Sequence, residues 1–382
     1  MSSNEDETAP LLDNQNGATP KQGQEKKYRI LLVVAHVLGF LVLVAFASGY
    51  YLGNRVWPFK SEAPYPDPPK PLPVCNLDHI EGYTETVPIA LENNFQIFNV
   101  VFDEGIVGNI LVNVHEDSNR TDIVLKQTIK FSDPSIESYF DALINVSFRA
   151  YNRLYSQRFF LNLPLDQRQS LLYNRHHCAG VDLEITFPQK YLVLDQLNIH
   201  NRYKGNIDVR TDGFVRFNLL TAKTAHGDIR MNLANAMEMT LNAPAGAIDA
   251  VLNVDNQLVT YSSEDTTIDF FTWPYFADMN IVSEKRTTVK YPYKGKFLMQ
   301  SATRPLVTGY QDTVVNITKE DEHLLEGKLG ADWALPWALP RLVLKGHDTV
   351  LELKSPYVGD ELRQEQEWRD LSGFNMTMSR NH

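Results

Sequence analysis

The chain has few cysteines, only Cys75 and Cys178 in 382 residues, so at most one intrachain disulfide is available. His176-His177-Cys178 brings metal-ligand types together, but no second cluster of Cys or His follows at finger-like spacing. Neighbouring ligands alone do not build a zinc site, and no metal is assigned. Positive charge is also scarce, with 36 Lys and Arg against 47 Asp and Glu and a net charge of −11. A binder of phosphate backbones needs a basic face, so nucleic acid is not an expected partner. There is no Gly-x-Gly-x-x-Gly, no Gly-Lys-Ser/Thr phosphate cradle, no Gly-x-Ser-x-Gly and no His-Glu-x-x-His. Their absence removes the common nucleotide, hydrolase and metalloprotease classes, and no cofactor or catalytic residue is expected.

What is present begins with one oily run, Ile30 to Leu52, without a fully charged side chain. As a helix its 23 residues span roughly 34 Å, enough for a hydrocarbon core of about 30 Å, so the lipid bilayer is the expected partner of residues 30–52. Lys21, Lys26, Lys27 and Arg29 precede the run, whereas only Arg55 and Lys60 closely follow it, which places the N-terminus in the cytosol. The glycosylation triplets at Asn119, Asn145, Asn316 and Asn375 all lie beyond the run. Both cysteines do too, where a disulfide persists. A cleavable signal has an apolar region of about 7–15 residues behind a short basic leader. The leader here has 29 residues and is acidic at its start. The expectation is an uncleaved signal anchor and a type II single-pass protein.

Residues 1–29 carry too few apolar side chains to offset the entropy of ordering and form the expected disordered cytosolic tail. Within it, Glu7 stands four positions before Leu11-Leu12, the pattern of an acidic dileucine sorting signal. A clathrin adaptor would take the leucines in an apolar pocket and the carboxylate on a basic patch. The location this implies is an endosomal, vacuolar or lysosomal membrane, with the plasma membrane as the alternative. Residues 53–75 form a spacer whose run Glu62–Val74, with prolines at 64, 66, 68, 69, 71 and 73, is semi-rigid and reaches about 40 Å. A Cys75–Cys178 bridge would tie that spacer to the domain beyond it. It closes a loop of about 100 residues and contributes about 4–5 kcal/mol in the chain-entropy model.

Beyond the spacer, short segments alternate apolar and polar residues and read as strands, among them Phe95–Val100, Ile110–Val114, Ile123–Ile129 and Val181–Phe187. Ser135–Ile144 and Leu165–Tyr173 read as helical interruptions, and Glu361–Leu371 as a final polar helix. Between Leu197 and Ala250 the chain repeats. Gly205-Asn-Ile207, Gly227-Asp-Ile229 and Gly246-Ala-Ile248 each follow an apolar strand, 22 and then 19 residues apart. A unit of that length cannot bury its apolar face alone, so copies must stack. The glycines mark tight corners with positive φ, each Ile points inward, and the extra apolar Leu220 marks a bulge. Weaker copies are read at Leu258–Tyr261, Thr267–Phe270, Thr288–Tyr291, Val314–Ile317 and Thr349–Leu353. The rings between Phe270 and Tyr293 read as a cover for the open end of the stack, or as a sugar-stacking surface.

Over roughly residues 90–320 this pattern resembles the adhesin-type domains of bacteria and fungi. The fungal members look similar throughout, with a tail, one span, a proline-rich spacer and a strand bearing a Cys before a run like Val181 to Pro188. The resemblance implies a parallel β-solenoid with a Gly-x-Ile corner per coil and supplies no catalytic residues. The expected fold is therefore mainly β, a solenoid ectodomain after one transmembrane helix and a disordered tail. Residues 76–190 form its N-terminal β-rich part, 191–357 the solenoid and capping segments, and 358–382 a polar helix and tail. The expected role is binding, adhesion or scaffolding toward an unknown protein or glycan, not catalysis.

The alternative is a β-helix carbohydrate-active enzyme, a glycan hydrolase or lyase. Aligning the corners puts Asp208, Arg230 and Asp249 at one position on neighbouring coils. The two aspartates would then stand roughly 9.5 Å apart, at the upper limit for an inverting pair, but with an arginine between them. Such alternation is what pairing on a solvated face produces. Replacing Leu11 and Leu12 together by Ala should move the protein to the cell surface, scored by surface biotinylation; an unchanged distribution removes the sorting signal.

Overall fold

The computed structural model describes residues 81–90, 96–117, 119–132, 134–149, 152–161, 179–272, 277–292, 294–309, 315–330 and 340–354. The expected tail, span and spacer lie outside these residues, as do Cys75, Cys178, His176, His177, Asn375, Leu165–Tyr173 and Glu361–Leu371. Among the described residues no helix is long and apolar enough to cross a membrane.

The described chain is mainly β. Its N-terminal third supplies β1 (Glu81–Ala90), β2 (Gln96–Phe102), β3 (Ile106–Val107), β4 (Ile110–Val114), β5 (Asp122–Phe131), β6 (Phe140–Arg149), β7 (Asn152–Leu161) and β8 (Ala179–Phe187). The repeat region supplies β9 (Leu192–Lys204), β10 (Ile207–Arg210), β11 (Val215–His226), β12 (Ile229–Ala243), β13 (Ile248–Ser262), β14 (Thr266–Phe270), β15 (Asp278–Ser283) and β16 (Arg286–Pro292). The remainder supplies β17 (Gly295–Ser301), β18 (Leu306–Gly309), β19 (Val315–Glu320), β20 (Leu324–Leu329), β21 (Arg341–Gly346) and β22 (Asp348–Lys354).

Parallel pairing arranges these strands in two ladders. One runs β7, β2, β9, β11, β12, β13, β15, β21, β17. The other runs β8, β4, β10, β12, β13, β14, β16, β22, β18. The long strands β12 and β13 serve both ladders because each bends. The β12–β13 register shifts between Met231 and Ala234 and again between Ala236 and Glu238, so one strand supplies three straight segments. Leu233 makes the first bend with φ of 50°. The result is a stack of coils with one core, in which Ile207, Ile229 and Ile248 lie in register and all are at most 1% exposed. Each such side chain taken from water is worth roughly 1.5–3 kcal/mol.

Leu220 does not mark a bulge. It is fully buried and in register with Leu197 and Met239. The irregular alternation before it is the bend between two flat segments, present also in β9, where Asp195 and Gln196 are both half-buried. Ser135–Ile144 is helical only in its first half, to Tyr139. A short 3-10 turn at Pro134–Tyr139 leads into β6, which pairs antiparallel with β7. The partner strand decides here, because ladder hydrogen bonds override a local helical pattern. Of the rings between Phe270 and Tyr293, Phe270 and Tyr291 do not cover an end, since both are buried, edge to face at 5.6 Å within the core, and Trp273, Tyr275, Phe276 and Tyr293 lie outside the described residues.

Two coils are out of sequence order. β2 and β4 lie between β7–β8 and β9–β10, although β7 and β8 come later in the chain. At the other end, β21 and β22 insert between β15–β16 and β17–β18. Antiparallel strands finish the stack: β6 covers β7, β5 and then β1 cover β8, and β20 and then β19 cover β17. Of the copy read at Val314–Ile317, the described part, Val315–Ile317, is thus in a cap and not a coil, since the chain reverses at Asp321–Leu324. An uncapped ladder would expose a row of unpaired N–H and C=O groups.

The glycine corners leave no room for a side chain. A Cβ on Gly227 would lie 2.3 Å from the carbonyl oxygen of Gly205, and its φ is 149°. Gly246 makes the same close approach, 1.9 Å from the Gly227 oxygen, without a positive φ. Gly213 has φ of 75° but open space where its Cβ would be. Gly227→Ala should therefore cost about 3 kcal/mol or more, and Gly213→Ala only about 1 kcal/mol, measured by denaturant unfolding.

Candidate functional site

Stacked glycines leave a trench along one corner of the coils, a groove of about 560 Å³. Its floor is Gly108, Gly205 and Gly227 on successive coils. One wall is the residue before each glycine, Val107, Lys204 and His226, held in register by the β3–β9 and β9–β11 pairings. The other wall is the residue after each glycine, Asn109, Asn206 and Asp228, continued by Asp182 on the adjoining coil.

That second wall is a ladder in which each side-chain oxygen accepts the backbone N–H of its neighbour one coil along. Asp182 Oδ1 takes Asn109 N–H at 3.1 Å, and Asn109 Oδ1 takes Asn206 N–H at 3.0 Å. Asn206 Oδ1 takes Asp228 N–H at 2.9 Å, and Asp228 Oδ1 takes Ala247 N–H at 3.0 Å. The ladder explains why Asn or Asp follows the glycine: a short side chain with a carbonyl or carboxylate oxygen reaches one coil spacing and no farther. Behind the floor, buried side chains satisfy the glycine carbonyls. Asn201 Nδ2 donates to Gly108 O at 3.0 Å, and Thr224 Oγ1 to Gly205 O at 2.8 Å.

Farther along, the same corner has no glycine. Glu264 and Lys285 replace it and pair with each other, while the inward Ile becomes Thr266 and Thr287, both fully buried. The trench therefore ends where the glycines end.

Basic side chains stand in and beside the trench, with the carboxylates of Asp182 and Asp228 among them. Lys204 and His226 form its wall, and Lys130 closes one end, bound to Asp182 at 2.7 Å. Beside it, Arg158 and Arg202 share the single carboxylate of Asp103, at 2.7 and 3.1 Å. His200 and Lys223 are in register on the neighbouring strands. Burial and the nearby Lys204 hold the His226 imidazole below the usual histidine range. Burial, Arg202 and Lys223 do the same to His200, with Asp103 opposing.

Asp208, Arg230 and Asp249 do stand in register on three coils. The Asp208 carboxylate is held by Arg210 two residues along its own strand, and Asp249 is exposed. Among the described residues no group of three His, Cys, Asp or Glu is placed to hold a metal. Asn119 is exposed in a turn, its N–H donating to Asp117 at 2.9 Å, and Asn316 is exposed on β19. Asn145 lies on β6. The Asx ladder and the first glycine corner are absent from the sequence reading, although Gly108-Asn109-Ile110 and Gly205-Asn206-Ile207 are the same triplet. Their separation by 97 residues hid the repeat, because β5 to β8 intervene.

No family model and no curated protein matches the sequence. Similar solved structures include a putative adhesin from Bacteroides fragilis, 14% identical, covering 71% of this chain and 97% of that one, at a TM-score of 0.33. A putative cell adhesion protein from Clostridium sporogenes is 10% identical over 72% of this chain and 99% of that one, at 0.26. A putative lipid binding protein from Parabacteroides distasonis is 11% identical over 72% and 97%, at 0.27.

A histidine held low when folded binds its proton less readily than in the unfolded chain. The stability it contributes is complete above the ordinary histidine range and is lost as pH falls through the lowered value. Removing both, His200→Gln with His226→Gln, should therefore reduce the drop in melting temperature between about pH 7.5 and about pH 5.

Proposed function

We propose that this chain is a non-enzymatic, type II single-pass membrane glycoprotein whose lumenal or extracellular coil stack binds or scaffolds a ligand. The trench is the observation that carries the binding reading: a concave strip of backbone and amide groups whose carboxylates are already engaged, Asp182 by Lys130 and Asp228 by the Ala247 N–H. Catalytic carboxylates need a free, convergent pair. Asp208 is occupied by Arg210, and its counterpart on the next coil is Arg230.

Support for the topology comes from the apolar run at residues 30–52 and the basic residues before it. Exposure of Asn119 and Asn316 supports glycosylation. The dileucine at Leu11-Leu12 supports routing through a clathrin adaptor to an endosomal, vacuolar or lysosomal membrane. Cys75 and Cys178 fit a disulfide in that compartment.

The full-length protein should stay with membranes in alkaline carbonate and gain mobility on a gel after endoglycosidase treatment. Asn119→Gln and Asn316→Gln should each remove one glycan increment. Release by carbonate, or a protease-accessible C-terminal domain in sealed vesicles with its N-terminus protected, overturns the topology.

A further inference from the structure

We propose that the glycine-floored trench is a binding site for an acidic saccharide, whose carboxylate or sulfate groups meet Lys204 and His226 and whose hydroxyls meet Asn206. This deepens the binding reading above and rests on it. Three observations converge on that ligand class.

First, Lys204 is a cation of the trench wall with no ion pair among the described residues, although Asp228 also lines the trench. In a chain of net charge −11, Lys204 and Lys223 have no anionic partner among the described residues, and Arg158 and Arg202 divide one aspartate. An anion entering the trench supplies the missing countercharge, and the confining walls strengthen the attraction relative to open solvent.

Second, the trench offers directional hydrogen bonding to a neutral polar ligand. Asn206 spends its side-chain oxygen on the Asp228 N–H, which leaves its amide N–H groups as donors at an exposed position. The ladder fixes the orientation of that amide, so the donors are presented without further ordering cost.

Third, the surroundings do not suit a lipid surface. The exposed large apolar side chains among the described residues are Tyr139, Tyr191, Val193, Met237, Val259, Leu306 and Ile317, and none lines the trench. Membrane docking needs such side chains to insert beside the basic groups. Coils also repeat about every 4.8 Å, so Lys204 and, once protonated, His226 stand one coil apart along the stack, within reach of neighbouring acidic units of one extended polymer.

The groups facing His226 are Lys204 on the preceding coil, Asp228 beyond Gly227 and the Lys130–Asp182 pair at the trench end. An anion favours protonated imidazole, so affinity should rise as pH falls. The unliganded imidazole is held low by burial and Lys204, which keeps this gain for acid conditions.

The test is calorimetric titration of the full-length detergent-solubilised protein with oligogalacturonate and with a sulfated oligosaccharide of the heparin type, against a neutral dextran oligomer and poly-glutamate. The expected result is binding of one or both acidic saccharides and no binding of dextran. Affinity should be at least about threefold tighter at about pH 5 than at about pH 7.5, and at least about tenfold weaker in Lys204→Gln.

Asn206→Asp keeps the oxygen that the Asp228 N–H needs while adding a negative charge. It should leave the melting temperature near that of the parent and weaken binding at least about tenfold. Equal binding of dextran, equal binding of poly-glutamate, or unchanged affinity in both variants overturns the proposal. Absence of any acidic-saccharide binding, with carbonate resistance and glycosylation intact, sinks the ligand class and leaves the broader reading standing. New reducing ends in the titrated saccharide would instead overturn the non-enzymatic reading itself.

Discussion

The close approach of one coil's backbone to the next at the glycine corner is the constraint from which the rest of the described structure follows. Parallel strands lie about 4.8 Å apart along their ladders, and a corner can keep that spacing only if nothing projects between successive turns. At Gly108, Gly205, Gly227 and Gly246 an added Cβ would meet backbone atoms of the coil below within 2.3 Å. The same spacing sets the neighbouring residue, because an Asn or Asp there spans one coil with a single hydrogen bond. It also sets the residue two beyond the glycine, which turns inward and meets its counterparts in the core. The trench is a by-product of that geometry: where side chains are forbidden, a groove remains.

The ends impose the second constraint. A stack of parallel coils has two open edges on each ladder, and each is a template for further pairing. Antiparallel strands from both termini of the described chain fold back over three of them: β6 on β7, β5 on β8 and β20 on β17. Under the N-terminal cap the core turns polar. Gln157 donates to Gln127, which donates to Glu85 at 2.6 Å, while Tyr155 donates to Gln157 at 3.2 Å. This chain of side chains leads from the buried interior out to β1 and satisfies groups that would otherwise be costly to bury. The out-of-order coils lock the ends further, since β2–β4 and β21–β22 are each held on both sides by other segments.

The repeat was legible where local rules apply. Val181, Leu183, Ile185 and Phe187 alternate in the sequence and are buried in the structure, and the three corners from Gly205 to Gly246 stand in the register their spacing requires. Leu258, Ile268, Val289 and Leu351, each within a weaker copy, are core residues of later coils. What failed to show was any relation set by partners remote in sequence. Ile110 pairs with Ile207 across 97 residues, and β19 resembles a coil strand in its own composition yet pairs antiparallel. The trench was only partly visible for the same reason: Lys204 and His226 precede corners 22 residues apart in the repeat, but Asn109 joins them only through stacking across 97 residues.

By itself, the sequence determined that the chain alternates in short strands and that copies with a Gly-x-Ile corner must stack, because period-2 burial and the intolerance of a crowded corner for any side chain are local properties. Only the tertiary structure decided which coil lies beside which, where the ladders are capped, and that cations and amides line one groove. Those outcomes depend on hydrogen bonds between segments far apart in the chain, whose energies no local pattern encodes.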